Sequence, residues 1–229
     1  MGQMTRRQAA GGDFDAYLAP AQPAPGPGIL LLHAWWGLNE TMRDLADRLA
    51  ADSFTVLAPD LFDGTVLRTV EEADKHVGEV EANADRLFAR VNAGLDHLLA
   101  DTSVVGHRAA VIGFSFGAYY GTRLAEERPE AAVLVTYYGG MGTELPGDPD
   151  KGTHPAFLGH FAADDPYEDH TAEVPGFSKR LAAEEGGSAA HLYEGTHHWF
   201  AEADRPEYNE AASELAYRRT VEFIHANLG

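Results

Sequence analysis

Short, unbroken apolar runs alternate with helical patterns along most of the chain, and this alternation is what most limits the folds open to it. "GILLLHA" and "FTVLAPDLF" have the continuous apolar character of strands covered on both faces. Between them Met42, Leu45, Ala46 and Leu49 recur at helical spacing, with Asn39 placed to cap that helix. A longer helical region follows, in which Leu87, Phe88, Val91, Leu95 and Leu98 form one apolar stripe. "RAAVIGF", "AAVLVTYYGG", "HPAFLGHFA" and "SAAHLYEG" read as further strands, with helices at "PGFSKRLAAEEGG" and around "ASELAYRRTVEFIHANL". So regular an alternation predicts an α/β fold, a mostly parallel central sheet with helices on both faces. In such sheets, sites lie at the carboxyl ends of the strands.

A chain of 229 residues is long enough for one substantial core, and we expect a single domain over 1–229 with residues 1–11 as a flexible tail. "APAQPAPGPG" is a stiff connector, expected to join a short edge strand around "FDAYLA" to the first buried strand. Asp and Glu outnumber Lys and Arg 36 to 17, a formal charge of −19. Such a surface repels phosphate backbones and anionic lipid, which argues against nucleic-acid and membrane-surface partners. With no cysteine there is no disulfide, thiolate metal site or cysteine nucleophile. The N-terminal stretch has arginines but no apolar segment behind them, and no run approaches membrane-spanning length, so a cytoplasmic protein is expected.

The chemistry concentrates at "GFSFGA", residues 113–118, where the strand "AAVIGF" gives way to the helical "GAYYGTRLAEE". A serine at such a junction sits on a sharp, strained turn that lifts its hydroxyl above the sheet, and Gly113 and Gly117 leave room for strand and helix to approach each other. The hydroxyl of Ser115 is a weak nucleophile unless a histidine takes its proton, and that histidine needs a carboxylate to fix its tautomer. Chain order in this architecture is serine, acid, histidine. The loop "GHFAADDPYED" supplies Asp164 and Asp165 at a strand's carboxyl end, whereas Asp169, further on, reads as a solvated charge or helix cap. The loop "YEGTHHWFAEA" supplies His197 and His198; in each adjacent pair only one member is expected to face the serine. His33 and His160 read as hydrogen-bonded histidines near the core or at strand ends. Backbone N–H groups for a developing oxyanion are expected from Phe116 and from the early loop "LLHAWWGLN", where Trp35 and Trp36 follow the strand.

With "HAWWGLN", "VLAPDLF", "VIGFSFGA", "YYGG", "PAFLGHFAADDPY" and "YEGTHHWF" placed in this order, the chain resembles the dienelactone hydrolase family of the α/β-hydrolase superfamily over nearly its whole length. The resemblance implies the α/β-hydrolase fold and puts Ser115 at the nucleophile position, which is usually cysteine in the type enzymes. It favours Asp165, followed by "PY", over Asp164, and His198, followed two residues on by Phe200, over His197. It further implies Trp35 and Phe116 as the oxyanion amides. Two departures matter. The family's early-loop glutamate is Ala34 here, consistent with a serine that needs no thiolate switch. Where the family carries an arginine for a substrate carboxylate, soon after the histidine, this chain has Glu202, which points to a neutral ester or lactone rather than dienelactone.

The expected activity is that of a serine esterase or lactonase acting on a small-molecule substrate through an acyl-enzyme. Acyl transfer by the same three residues and a noncatalytic binding domain are the alternatives. Trp36, Phe114 and Trp199 are expected to line an apolar pocket. No metal or cofactor is expected, since there is neither a Walker loop nor a dinucleotide fingerprint after the first strand.

Overall fold

The computed structural model describes residues 1–10, 12–140, 147, 148, 153, 155–181 and 187–228. In chain order its elements are β1 (Gln3–Arg7), β2 (Phe14–Ala19), β3 (Gly26–Leu32), α1 (Glu40–Ala51), β4 (Thr55–Pro59), α2 (Val70–Glu81), α3 (Ala84–Leu99), β5 (Val104–Phe114), α4 (Phe116–Glu127), β6 (Ala131–Tyr137), β7 (Ala156–Ala162), α5 (His170–Leu181), β8 (Ala189–Tyr193) and α6 (Glu210–Leu228). The strands form one sheet in the order β1-β2-β4-β3-β5-β6-β7-β8. β1 and β2 pair antiparallel, as do β2 and β4; every other pairing is parallel.

Helices cover both faces, as the alternation predicts. Gly121 of α4 packs over Leu32 of β3 and over Val111 and Leu134, which are partners across β5 and β6. Three positions along β6 from Leu134 the pleat turns Tyr137 to the opposite face, where its hydroxyl meets Thr220 of α6 at 2.8 Å. The same face carries α1, joined to α6 by the Arg48–Glu214 ion pair at 2.6 Å and by the Tyr217 hydroxyl donating to Asp52. Every residue of β4 is buried, which is why it reads as a continuous apolar run. Asn39 caps α1 by accepting from the Met42 N–H at 3.0 Å.

Three expectations need correction. "FDAYLA" is not an edge strand, because β1 pairs along its whole length and leaves Phe14, Ala16, Tyr17, Leu18 and Ala19 buried. The segment 3–7, expected within a flexible tail, is that outer strand; its exposed side chains gave it no apolar run. The stripe from Leu87 to Leu98 lies on α3 as expected, with α2 as a separate helix before it. Of the helix expected at "PGFSKRLAAEEGG", residues 182–186 lie outside the described residues, and α5 begins earlier, at His170, carrying Pro175 inside it. Among the described residues no helix is long and apolar enough to cross a membrane.

Candidate active site

Ser115 occupies the single residue between β5 and α4, with φ +48° and ψ −110°. A non-glycine residue there carries backbone strain, held in place by its N–H donating to the Tyr137 carbonyl at 2.9 Å and by its own carbonyl accepting from Ala118 at 2.9 Å. Both flanking glycines are required by space. A β-carbon on Gly113 would stand 2.6 Å from the Ala118 Cα, and one on Gly117 would collide with the carbonyl oxygens of Leu32 and His33.

The hydroxyl points at His198. Ser115 Oγ lies 2.8 Å from His198 Nε2, and His198 Nδ1 lies 2.6 Å from Asp165 Oδ2. A carboxylate only accepts, so Nδ1 carries the proton and Nε2 is free to accept from the serine. Asp165 sits in the loop after β7 and its side chain is fully buried; its Oδ1 accepts the Tyr167 N–H at 2.9 Å. Burial pushes the Asp165 carboxyl up. The hydrogen bond and charge of His198, the Tyr167 N–H and the charge of His170 outweigh it and leave the carboxyl below its ordinary value.

The structure separates both adjacent pairs. Asp164 turns its backbone to the histidine loop: its N–H donates to the Thr196 carbonyl at 3.0 Å and its carbonyl accepts from His197 Nδ1 at 2.9 Å. Asp164 and His197 thus tie the two loops together, while Asp165 and His198 reach the serine. Asp169 accepts from the Ala172 N–H, a cap at the start of α5. His33 and His160 are buried and hydrogen-bonded, the first to the Ala34 carbonyl and the Leu61 N–H, the second to Tyr193 and Thr220.

A cavity of ≈ 390 Å³ opens beside Ser115, walled by Trp35, Phe116, Tyr119, Tyr138, Tyr167 and Glu168. Phe116 is the first residue of α4, so its N–H has no intrahelical acceptor and lies at the positive end of the helix. Trp35, from the loop after β3, faces the same space. The three residues expected to line the pocket stand behind it. Trp36 is 2% exposed, under the Arg205 guanidinium at 4.2 Å, and Trp199 packs against both indoles of Trp35 and Trp36. Phe114 points to the other face, stacked on Tyr137 and lining a separate groove with Arg48 and Tyr217. The alternation of a strand explains Phe114: two residues before Phe116, it still belongs to β5 and faces α6.

Glu202 is also displaced from its expected part. It is fully buried, accepts from the Tyr138 hydroxyl at 2.8 Å, and lines no part of the cavity. Burial pushes its carboxyl up to about 8, so it is mostly neutral at pH 7. Among the described residues the acid in the cavity wall is Glu168, and neither lysine nor arginine lines that wall. The residues missed from sequence are Tyr167, Glu168 and His170. The first two lay inside the quoted acid loop, and His170 directly follows its helix cap.

Comparison with known proteins gives one answer at several depths. The profile of the Dienelactone hydrolase family matches residues 14–228. A protein of Azospirillum brasilense that bears the name carboxymethylenebutenolidase is 31% identical over 231 residues, covering 95% of each chain. One of Bradyrhizobium that bears the name 2-oxo-3-(5-oxofuran-2-ylidene)propanoate lactonase is 27% identical over 224 residues, 93% of this chain and 89% of that one. Among solved structures, a dienelactone hydrolase-like promiscuous phosphotriesterase from metagenomic libraries superposes with a TM-score of 0.80 at 20% identity, covering 99% of this chain and 98% of that one.

Proposed function

This chain belongs to the dienelactone hydrolase family, a hydrolase with the α/β-hydrolase fold, and from that premise we propose that it cleaves a small neutral ester or lactone with Ser115 as nucleophile. The observation that carries the reading is the unbroken line from Ser115 Oγ to His198 to Asp165, at 2.8 and 2.6 Å, opening into an aromatic cavity. Among the described residues neither lysine nor arginine lines the cavity to hold a substrate carboxylate, which disfavours an anionic substrate.

In this reading Ser115 Oγ bonds to the acyl carbon as its proton passes to His198 Nε2. The Trp35 and Phe116 amides donate to the oxyanion, and Asp165 stabilises the imidazolium. Collapse breaks the bond between acyl carbon and alcohol oxygen, and His198 returns the proton to that oxygen. A water then attacks the acyl-enzyme, gives its proton to His198, and the acid leaves as Ser115 regains its hydroxyl hydrogen.

The test is hydrolysis of p-nitrophenyl acetate by the protein and by Ser115→Ala, with a chelator present. The substitution is expected to lower kcat by about 10³-fold or more. Equal rates in the two proteins would overturn the proposal.

A further inference from the structure

The carboxylate of Asp165 has a second histidine on it. His170, the first residue of α5, is fully buried; its Nδ1 lies 3.4 Å from the same Asp165 Oδ2 that meets His198, and 3.2 Å from the Ala162 carbonyl. Its other nitrogen, Nε2, lies 2.8 Å from Glu168 Oε2. The groups facing the ring are therefore Asp165 and Glu168 from the loop after β7, the Ala162 carbonyl and Phe161 ring from β7, and His198 beyond Asp165. Every polar atom within reach of either ring nitrogen is an acceptor.

That inventory decides the protonation state. A neutral imidazole has one N–H and would leave one nitrogen's lone pair against a carboxylate or carbonyl oxygen. An imidazolium donates from both nitrogens, Nε2 to Glu168 and Nδ1 to the Ala162 carbonyl, and places its charge beside Asp165. Burial alone would lower the pKa of this ring; the Glu168 hydrogen bond and the charges of Asp165 and Glu168 outweigh it and raise it.

We infer that His170 is a positioning residue charged at neutral pH, which pins the Asp165 carboxylate and tempers its pull on His198, so that His198 stays an unprotonated base to lower pH than an unshared aspartate would allow. The inference rests on the function proposed for Ser115, His198 and Asp165. Asp165 then meets the His198 N–H and the charge of His170 at Oδ2 and the Tyr167 N–H at Oδ1, contacts that resist its rotation away from His198. A positive charge beside the aspartate lowers the proton affinity of His198, which acts as base only when neutral. Glu168 joins this arrangement to the cavity, because it both pairs with His170 and lines the wall.

The experiment is the pH dependence of kcat/KM in the wild-type protein and in His170→Gln, whose amide keeps a donor toward Asp165 without the charge. The acid limb is expected to move to higher pH by roughly half a unit to one unit. A limb that stays in place while activity or melting temperature falls would mean a purely structural histidine and would overturn the inference. A second readout needs neither activity nor the variant. In nitrogen-15 spectra of the wild-type protein, the ring in contact with Phe161 is expected to carry protons on both nitrogens at pH 7; a singly protonated ring there would overturn the inference. Activity that survives Ser115→Ala would sink the function proposed above, and the nitrogen spectrum would still decide the charge of His170.

Discussion

At the scale of single residues, two buried acids close to the site are kept in opposite states. Asp165 is held ionised by its donors, whereas Glu202, sealed behind Tyr138, keeps its proton to about pH 8. An unfolded chain releases that proton near pH 4.3, so between the two values the folded protein binds more protons than the unfolded one. Stability from this group therefore falls as pH rises from about 4.5 to 8, and above that range the buried charge is fully felt. Glu202→Gln keeps an acceptor for the Tyr138 hydroxyl and removes the titration. The variant is expected to melt roughly 5 °C above the wild-type protein at pH 9, with the gap closing toward pH 5, as followed by circular dichroism. A gap independent of pH would mean that Glu202 does not titrate in this range. Ser115 was legible because the two glycines around it fall where a strand pattern gives way to a helical one. It could not decide between Asp164 and Asp165 or between His197 and His198. Neighbours in a loop differ in direction, not in chemistry, and direction here is set by backbone bonds between two loops distant in sequence.

At the scale of elements, the junction of β5 with α4 has no room for a side chain at either of its glycines. A methyl group at Gly117 would press on the carbonyl oxygens of Leu32 and His33 at the end of β3, the strand that leads to Trp35. Gly117→Ala is expected to cost about 1–3 kcal/mol in denaturant unfolding. It is also expected to lower kcat more than it raises KM, because the shift falls on the amides of Trp35 and Phe116. Unchanged kcat in a folded variant would count against those amides as the oxyanion site. The central strands and α1, α3, α4 and α6 were legible because burial on both faces, or on one stripe, writes itself as apolar spacing. β1 was not: a five-residue outer strand with exposed side chains carries its order in main-chain pairing, which composition does not record. The start of α5 was missed for another reason. The segment before Pro175 carries acids and no apolar stripe that would extend the helix, yet Pro175 is the sixth residue of α5.

At the scale of the whole molecule, the formal charge of −19 is a self-repulsion spread over a surface with few cations to offset it. Raising sodium chloride from about 0.02 M to 0.5 M shortens the range of that repulsion to a few ångström and is expected to raise the melting temperature. No change with salt would mean that local ion pairs such as Arg48–Glu214 and Arg90–Asp63 already balance it. The sheet brings strand ends from distant parts of the chain to one rim, and the last step of assembly there is made by main chain. Asp164 and Thr196 fasten the two loops, so cutting the proton path at Ser115 leaves the cavity's walls where they stand. If the proposed function holds, a disarmed copy of this chain is its own bait: it keeps the shape of the cavity and lacks the means to destroy what enters it, so the molecule it retains from a cell extract, read by mass spectrometry, names its substrate.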